Sequence, residues 1–378
     1  MREIFVVSEN IFSPLGLTTS ENFQRVRENK SGIQLHEGGR MAPAPFYASL
    51  FNPDQFSANK EEPALYSRFE SAVISSMSDA ISGSGIDPAD PETLMVLSST
   101  KGNISMLETE EYNEELKSNI SLPLSAQKIA RHFGSGNIPL IVSHACISGV
   151  MAIVTAMRML ESGRYDHAIV TGGDLITRFI LSGFQAFQAV SARPCRPFDA
   201  SRDGVSLGEA AATLVLSADK KFDRGSRIAG GSISNDANHI SGPSRSGEEL
   251  AFAMQSSLRQ AGIIPKDIDI ISAHGTATIY NDEMEAKAIH LAGLADKPVN
   301  SLKGHYGHTL GAAGLVESII SLRSMQENYF IPTAGYEHAG TSKPVHVSAS
   351  GLAGRFRYCM KTASGFGGCN AALVIHHQ

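Results

Sequence analysis

Long apolar runs are missing from this sequence. No stretch approaches the roughly 20 residues a membrane-crossing helix needs, so no membrane span is expected. An excess of basic charge is missing too. The 32 Lys and Arg against 38 Asp and Glu give a net charge of -6, which argues against a nucleic-acid-binding face. Cysteine is scarce. The four residues Cys146, Cys195, Cys359 and Cys369 show no Cys-x-x-Cys spacing, which argues against a disulfide scaffold and points to a reduced, cytoplasmic setting. The opening Met1–Val7 is too short for the apolar core of a signal peptide. What remains is ordinary globular composition, 42% hydrophobic and 19% charged over 378 residues, long enough for about two domains.

Along the chain, short apolar runs alternate with helical patterns, which argues an α/β fold with mostly parallel sheets. Strands are expected at Ile4–Val7, Leu94–Leu97, Ile138–Val142, Ala168–Gly173, Ala212–Leu216, Ile228–Ser234 and Ile268–Ala273, with the last near 345–347 and 371–375. Helices are expected from Ser20, over Tyr66–Ile81 and Thr109–Lys117, over Ser148–Leu160 and Glu248–Ala261, after a cap at Asn281, and from Gly311 to about Gln326. Residues 32–62 read as a long irregular excursion. The charged stretch Asp219–Gly225 is the candidate boundary, dividing the chain into 1–224 and 225–378. The helices at 148–160 and 311–326 are both apolar on nearly every face and open with small residues, a weak half-chain repeat.

Cys146 stands where an apolar run turns sharply into the first of those buried helices. Free N–H groups and the dipole at a helix N-terminus favour an anion there, which is one route to a cysteine nucleophile. The dipole contributes on the order of 0.3–1 kcal/mol, less than one pKa unit at about 1.36 kcal/mol. A basic partner is therefore required; otherwise Cys146 is a buried structural thiol. His274 and His308 follow strand-like runs and sit beside glycine, where backbone can approach a ligand. Singly, either could be a structural histidine. His305 and His308 lack a third ligand at metal-site spacing, so no metal is expected.

Read in order, Ala145-Cys146-Ile147-Ser148-Gly149, His274-Gly275-Thr276-Ala277-Thr278 with Asp282 and Glu285, Asn300-Ser301-Leu302-Lys303 with Gly307-His308-Thr309, and Gly365-Phe366-Gly367-Gly368-Cys369-Asn370 resemble the β-ketoacyl-[acyl-carrier-protein] synthases. Arg196-Pro197-Phe198-Asp199 with Arg202-Asp203-Gly204 is similar to a further motif of that family. The resemblance implies a thiolase-like fold: two duplicated α/β halves in a five-layered α-β-α-β-α core. It implies that Cys146 takes an acyl chain as a thioester. His274 and His308 would then hold the carbonyl of malonyl-carrier protein while carbon dioxide leaves and the enolate condenses with the acyl-enzyme, in fatty acid, polyketide or polyene biosynthesis. Lys303 and Glu317 match the buried pair that orients the histidines. The N–H groups of Cys146 and Phe366 match an oxyanion hole, and Thr276 and Thr278 match contacts to the phosphopantetheine arm. No cofactor of the enzyme's own is implied. Implied partners are acyl carrier protein and a second subunit, either a homodimer mate or a related chain.

The sequence departs from the family around the acyl pocket. Ser98–Asn103 replaces a Gly-rich run, Ser364 stands where Phe is common, and Val205 where an aromatic is common. Ser364 and Phe366 are therefore expected to shape substrate choice, with the glycines of 365–368 leaving that loop free to swing. Arg68 and Arg202 are candidate members of a carrier-docking patch. Two rival readings are a non-catalytic, chain-length-factor-like partner, which usually lacks the cysteine, and a thiolase, for which Cys369 would be the second thiol.

Overall fold

Runs of small and β-branched residues fold here into strands buried on both faces, in a sheet that is evenly mixed and not mostly parallel as expected: five neighbouring pairs are parallel and five antiparallel. This computed structural model describes residues 2–59, 65–238 and 241–378. The first half supplies β1 (Ile4–Phe12), β2 (Thr93–Ser98), β3 (Leu140–Val142), β4 (His167–Asp174) and β5 (Ala210–Ser217). The second supplies β6 (Ser226–Asn235), β7 (Ile270–Ser272), β8 (Pro298–Asn300), β9 (Tyr358–Gly365) and β10 (Cys369–His377).

In space the first set runs β3-β2-β4-β5-β1 and the second β8-β7-β9-β10-β6. Directions match as well. β2 is parallel to β3 and β4, while β4–β5 and β5–β1 are antiparallel. β7 is parallel to β8 and β9, while β9–β10 and β10–β6 are antiparallel. One topology is thus used twice, as the repeat in the sequence suggested. The two sheets join where Ile4 pairs with Ile228 and Phe5 with Arg227.

Five layers follow from the helices. α1 (Arg68–Ser82) covers the outer face of β1, β4 and β5, and α3 (Glu248–Ala261) with α4 (Ile279–Leu291) covers the second sheet. Between the sheets lie α2 (Ser148–Glu161) and α5 (Ala313–Gln326), each touching strands of both halves. That burial explains why both are apolar all round. They cross at glycines: a Cβ on Gly149 would sit 2.7 Å from Leu315 N, and one on Gly314 would collide with Val150 N. No helix among the described residues is long and apolar enough to cross a membrane.

Several expectations need correction. Ile138 is 81% exposed and the strand begins only at Leu140, because Pro139 has no N–H to give a ladder. The helix expected over 109–117 starts at Glu114, where the Asn113 side chain accepts from Leu116 N. Thr278, not Asn281, precedes α4. The excursion after Gly32 contains strands at Gln34–His36 and Phe46–Ser49; its last residues, 60–62, lie outside the described residues. Strand β9 and the helices Leu122–His132 and Arg178–Ala186 were not anticipated.

Candidate active site

Duplication places the chemistry. In each half, the connection from the third strand to the central helix crosses the middle of the molecule. In the first half it carries Cys146, between β3 and α2; in the second it carries His308, between β8 and α5. His274 follows β7 directly. The thiol sulfur and one ring nitrogen from each histidine lie within 4.8 Å of one another, and all three side chains are buried.

The turn at Cys146 is strained and held. Ala145 has φ 46°, a left-handed value costly for a residue with a Cβ. Ser148 Oγ fixes it, accepting from His144 N at 2.8 Å and donating to Ala145 O at 2.7 Å. Ala277 and Phe198 near His274 are also left-handed, at φ 63° and 62°. The Asp282 carboxylate accepts both their N–H groups.

A polar lattice fixes His274. Glu285 accepts from the N–H groups of His274 and Gly275 at 2.8 and 2.7 Å. Lys303 Nζ donates to His274 O at 2.6 Å and to Glu317 Oε1 at 2.7 Å, and stands 3.3 Å from His274 Nδ1. An ammonium has no lone pair, so Nδ1 accepts and the ring proton is assigned to Nε2. For His308, Leu310 N approaches Nδ1 at 3.4 Å, which assigns its proton to Nε2 as well. His308 Nε2 is buried without a hydrogen-bond partner among the described residues, and its residue lines the central cavity. The rings stand 5.2 Å apart and nearly perpendicular.

Burial pushes both histidines well below their usual pKa, and the Lys303 and Lys361 cations push the same way. Both are therefore neutral N–H donors at neutral pH. At Cys146 the helix terminus, expected to help only a little, does not lower the thiol's pKa. Burial pushes it up to about 12, with Cys369 and Asp174 adding to the rise; Lys303 and the Phe366 N–H, which faces the sulfur, pull the other way. Loss of hydration outweighs the helix terminus here.

The cavity of about 370 Å³ opens from this trio and is lined by Thr276, Thr278, Ser364 and Phe366, with Phe187, Ile279 and Tyr280 among the other lining residues. The two threonine hydroxyls bond each other at 2.8 Å. Ser364 Oγ donates to Asn370 Oδ1 at 2.7 Å, so its polarity is spent inside the β9–β10 hairpin. The Phe366 ring, on the loop expected to swing, rests 5.5 Å from both Phe184 and Phe187.

Two further charged residues escaped sequence reasoning. Lys361 on β9 binds Glu317 from its other oxygen at 2.7 Å. Asp174, at the end of β4, accepts from Ser99 Oγ, Thr100 N, Lys101 Nζ and Gly311 N. One expectation fails. Arg202 is 9% exposed, held by Asp199 O and Gly340 O and 3.9 Å from Asp282, so it offers a carrier no charge. Arg68 remains half-exposed, 3.7 Å from Glu209. The Cys-His-His atoms are close enough to reach one metal ion, but the lysine ammonium groups beside them oppose a dication. His305 is spent on Lys30 O and Pro332 O.

The beta-ketoacyl synthase N-terminal domain matches residues 1–221 and the C-terminal domain matches residues 226–337. A 3-oxoacyl-[acyl-carrier-protein] synthase 2 of Staphylococcus aureus is 38% identical over 252 residues, 61% of this chain and 61% of that protein. The match thus spans about three fifths of that relative's length. The ishigamide ketosynthase/chain length factor superposes with TM-score 0.89 at 23% identity, covering 100% of this chain and 99% of that one. A type II polyketide ketosynthase bound to a hexaketide, in complex with its acyl-carrier protein, superposes with TM-score 0.87 at 22% identity, covering 100% of both chains. With the fold, the duplicated halves and both domain matches in agreement, this chain belongs to the beta-ketoacyl synthase family.

Proposed function

We propose that the chain is an acyltransferase that forms carbon–carbon bonds by decarboxylative condensation of an acyl-enzyme with malonyl-carrier protein. The observation that carries this is one thiol facing two neutral histidines, each assigned an Nε2 proton, at the end of a cavity. In the first half-reaction the Cys146 sulfur attacks the acyl thioester. The tetrahedral oxyanion is held by the N–H groups of Cys146 and Phe366, and the pantetheine thiol leaves with the proton. In the second, the bond to the malonyl carboxylate breaks and carbon dioxide departs. The enolate oxygen takes the two Nε2–H donors, an oxyanion-hole role. Its carbon then bonds to the acyl carbon, and Cys146 leaves and regains a proton.

Neutral histidines suit that task, since a neutral donor stabilises the enolate oxygen without transferring a proton in advance. Thr276 and Thr278 would hold the phosphopantetheine arm, and no cofactor of the enzyme's own is needed. We infer a cytoplasmic protein, supported by four unpaired cysteines, that works as a pair with a second copy or a related subunit. The ketosynthases named above with an acyl-carrier protein and a chain length factor support both partners. The test is incubation with acyl-carrier protein followed by mass spectrometry. Label on Cys146 alone, and release of carbon dioxide from malonyl-carrier protein, are expected. Stable label on Cys195, Cys359 or Cys369 instead would overturn the assignment.

A further inference from the structure

A buried lysine on β9 is not used by the mechanism above. We propose that Lys361 is a positioning residue for His274 and the enolate site: with Lys303 it holds Glu317 from both oxygens and fixes the end of β7 from which His274 projects. This rests on the proposed condensation chemistry. Lys361 is fully buried. Its Nζ lies 2.7 Å from Glu317 Oε2 and donates to Thr362 O at 2.6 Å, Ser272 O at 3.2 Å and Ala273 O at 3.3 Å. Lys303 takes the next carbonyl, His274 O. Three consecutive carbonyls leading to the histidine are thus capped by two ammonium groups, while Glu285 takes the following two N–H groups. Thr362 Oγ1, next to Lys361, donates to that same Glu285 at 2.5 Å.

A single cation would not do this. A buried ion pair offsets its desolvation only when the remaining hydrogen-bonding groups are satisfied. Without Lys361 one oxygen of Glu317 loses its cation. The carboxylate could then turn or take up a proton, and Lys303 would lose the partner that aims it at His274 Nδ1. The charges facing the two histidines are Lys303, Lys361 and Lys101 on one side, Glu317, Glu285 and Asp174 on the other, with the thiols of Cys146 and Cys369. Lys361 contributes positive charge to that set and so disfavours a protonated imidazole.

The experiment compares Lys361→Met, Lys361→Gln and Lys361→Arg in the full-length protein. Readouts are carbon dioxide release from malonyl-carrier protein against pH, acylation of Cys146, and NMR titration of His274 and His308. Both neutral variants should move the acid limb of decarboxylation upward by about one pH unit, a loss of about tenfold on the limb. Acylation of Cys146, whose oxyanion hole is backbone, should fall less. Arginine should restore the limb. Lys361→Gln keeps an N–H for the carbonyls, so it decides the matter should the methionine variant not fold. An unmoved limb in a folded neutral variant, equal losses in both half-reactions at every pH, or no rescue by arginine would each overturn the proposal. If the wild type released no carbon dioxide, the functional reading would fall. The titration would still decide Lys361, since the neutral variants must raise both histidine pKa values.

Discussion

The two halves share one strand order and one set of strand directions, yet they hold their central loops with opposite charges. In the first half an anion at the end of the fourth strand, Asp174, gathers N–H and hydroxyl donors from the loop after the second strand, Ser99 to Lys101. In the second half a cation on the fourth strand, Lys361, gathers carbonyls at the end of the second strand, Ser272 and Ala273. Each anchor also reaches across the duplication or its helix: Asp174 to Gly311, close after His308, and Lys361 to Glu317 on α5. Duplication therefore supplied a scaffold, and the chemistry divided. One half presents a thiol at the start of a buried helix, and the other presents two neutral imidazoles. Opposite anchors suit the division of labour proposed above, in which the second half keeps its histidines uncharged.

Removing the first half's thiol should have the largest effect. Cys146→Ala should leave the fold intact and reduce condensation to background, on the order of 10⁴–10⁶-fold, with no acyl label by mass spectrometry. Removing a donor from the second half should act on one half-reaction. His308→Ala should lower carbon dioxide release by about 10²–10³-fold, while Cys146 is still acylated from acyl-carrier protein. An equal loss in both steps would show that the halves do not divide the work.

Acidity sharpens the same contrast. The proposed decarboxylation calls for both imidazoles uncharged. Their pKa values lie well below the usual range, so the rate should stay level as pH falls through about 6.5, where an ordinary histidine would protonate, and drop only below it. The thiol goes the other way. With Cys146 pushed up to about 12, alkylation of the resting enzyme by iodoacetamide should be slow near neutral pH. It should then rise about tenfold per pH unit well into the alkaline range. A plateau reached near pH 8 would mean a thiolate-stabilising site.

Much of this could be read in advance, because buried strands and all-apolar helices write themselves as runs, and α3 was bounded correctly at both ends. That Cys146, His274 and His308 belong together was legible as motifs, and the fold brings their side chains to one place. Lys361 was not, since a single lysine inside Tyr358–Gly365 finds its partner on a distant helix and only the fold brings them together. The same holds for Arg202. Its exposed-looking sequence neighbours hide that Asp199 O and Gly340 O draw the guanidinium inward. Lys101 looked like a replacement for a glycine; in the fold it is the cation of a buried pair with Asp174 at 3.0 Å.

That pair gives the next prediction. Asp174→Asn keeps the shape but cannot serve an ammonium and several N–H donors at once. The Gly311 anchor should loosen and carbon dioxide release should fall about tenfold, as for loss of a buried charge-assisted network. The His308 ring would lose its fixed approach to the enolate, so kcat should change more than KM.

The smallest effect belongs to the rim, where the halves meet around Phe366. Its ring is 38% exposed and rests on Phe184 and Phe187, both just beyond β4 in the first half, while Phe366 itself turns the β9–β10 hairpin of the second. Here a side chain from each half meets at the lining of the cavity. An aromatic pair is worth about 0.5–1.5 kcal/mol when well packed. Phe187 is 58% exposed, so its share falls at the low end. Phe187→Ala should therefore favour displacement of Phe366 by about twofold, since 1.4 kcal/mol is needed for a factor of ten. Ser364, buried and bonded to Asn370, should not move with it. The result to look for is a modest gain in kcat/KM for bulky or polyunsaturated acyl-carrier proteins relative to saturated ones. Ser364→Phe, which fills the same region from behind, should shift the ratio the opposite way. If both variants leave that ratio unchanged, the aromatic contact is only surface packing and the mouth is set by the hairpin backbone.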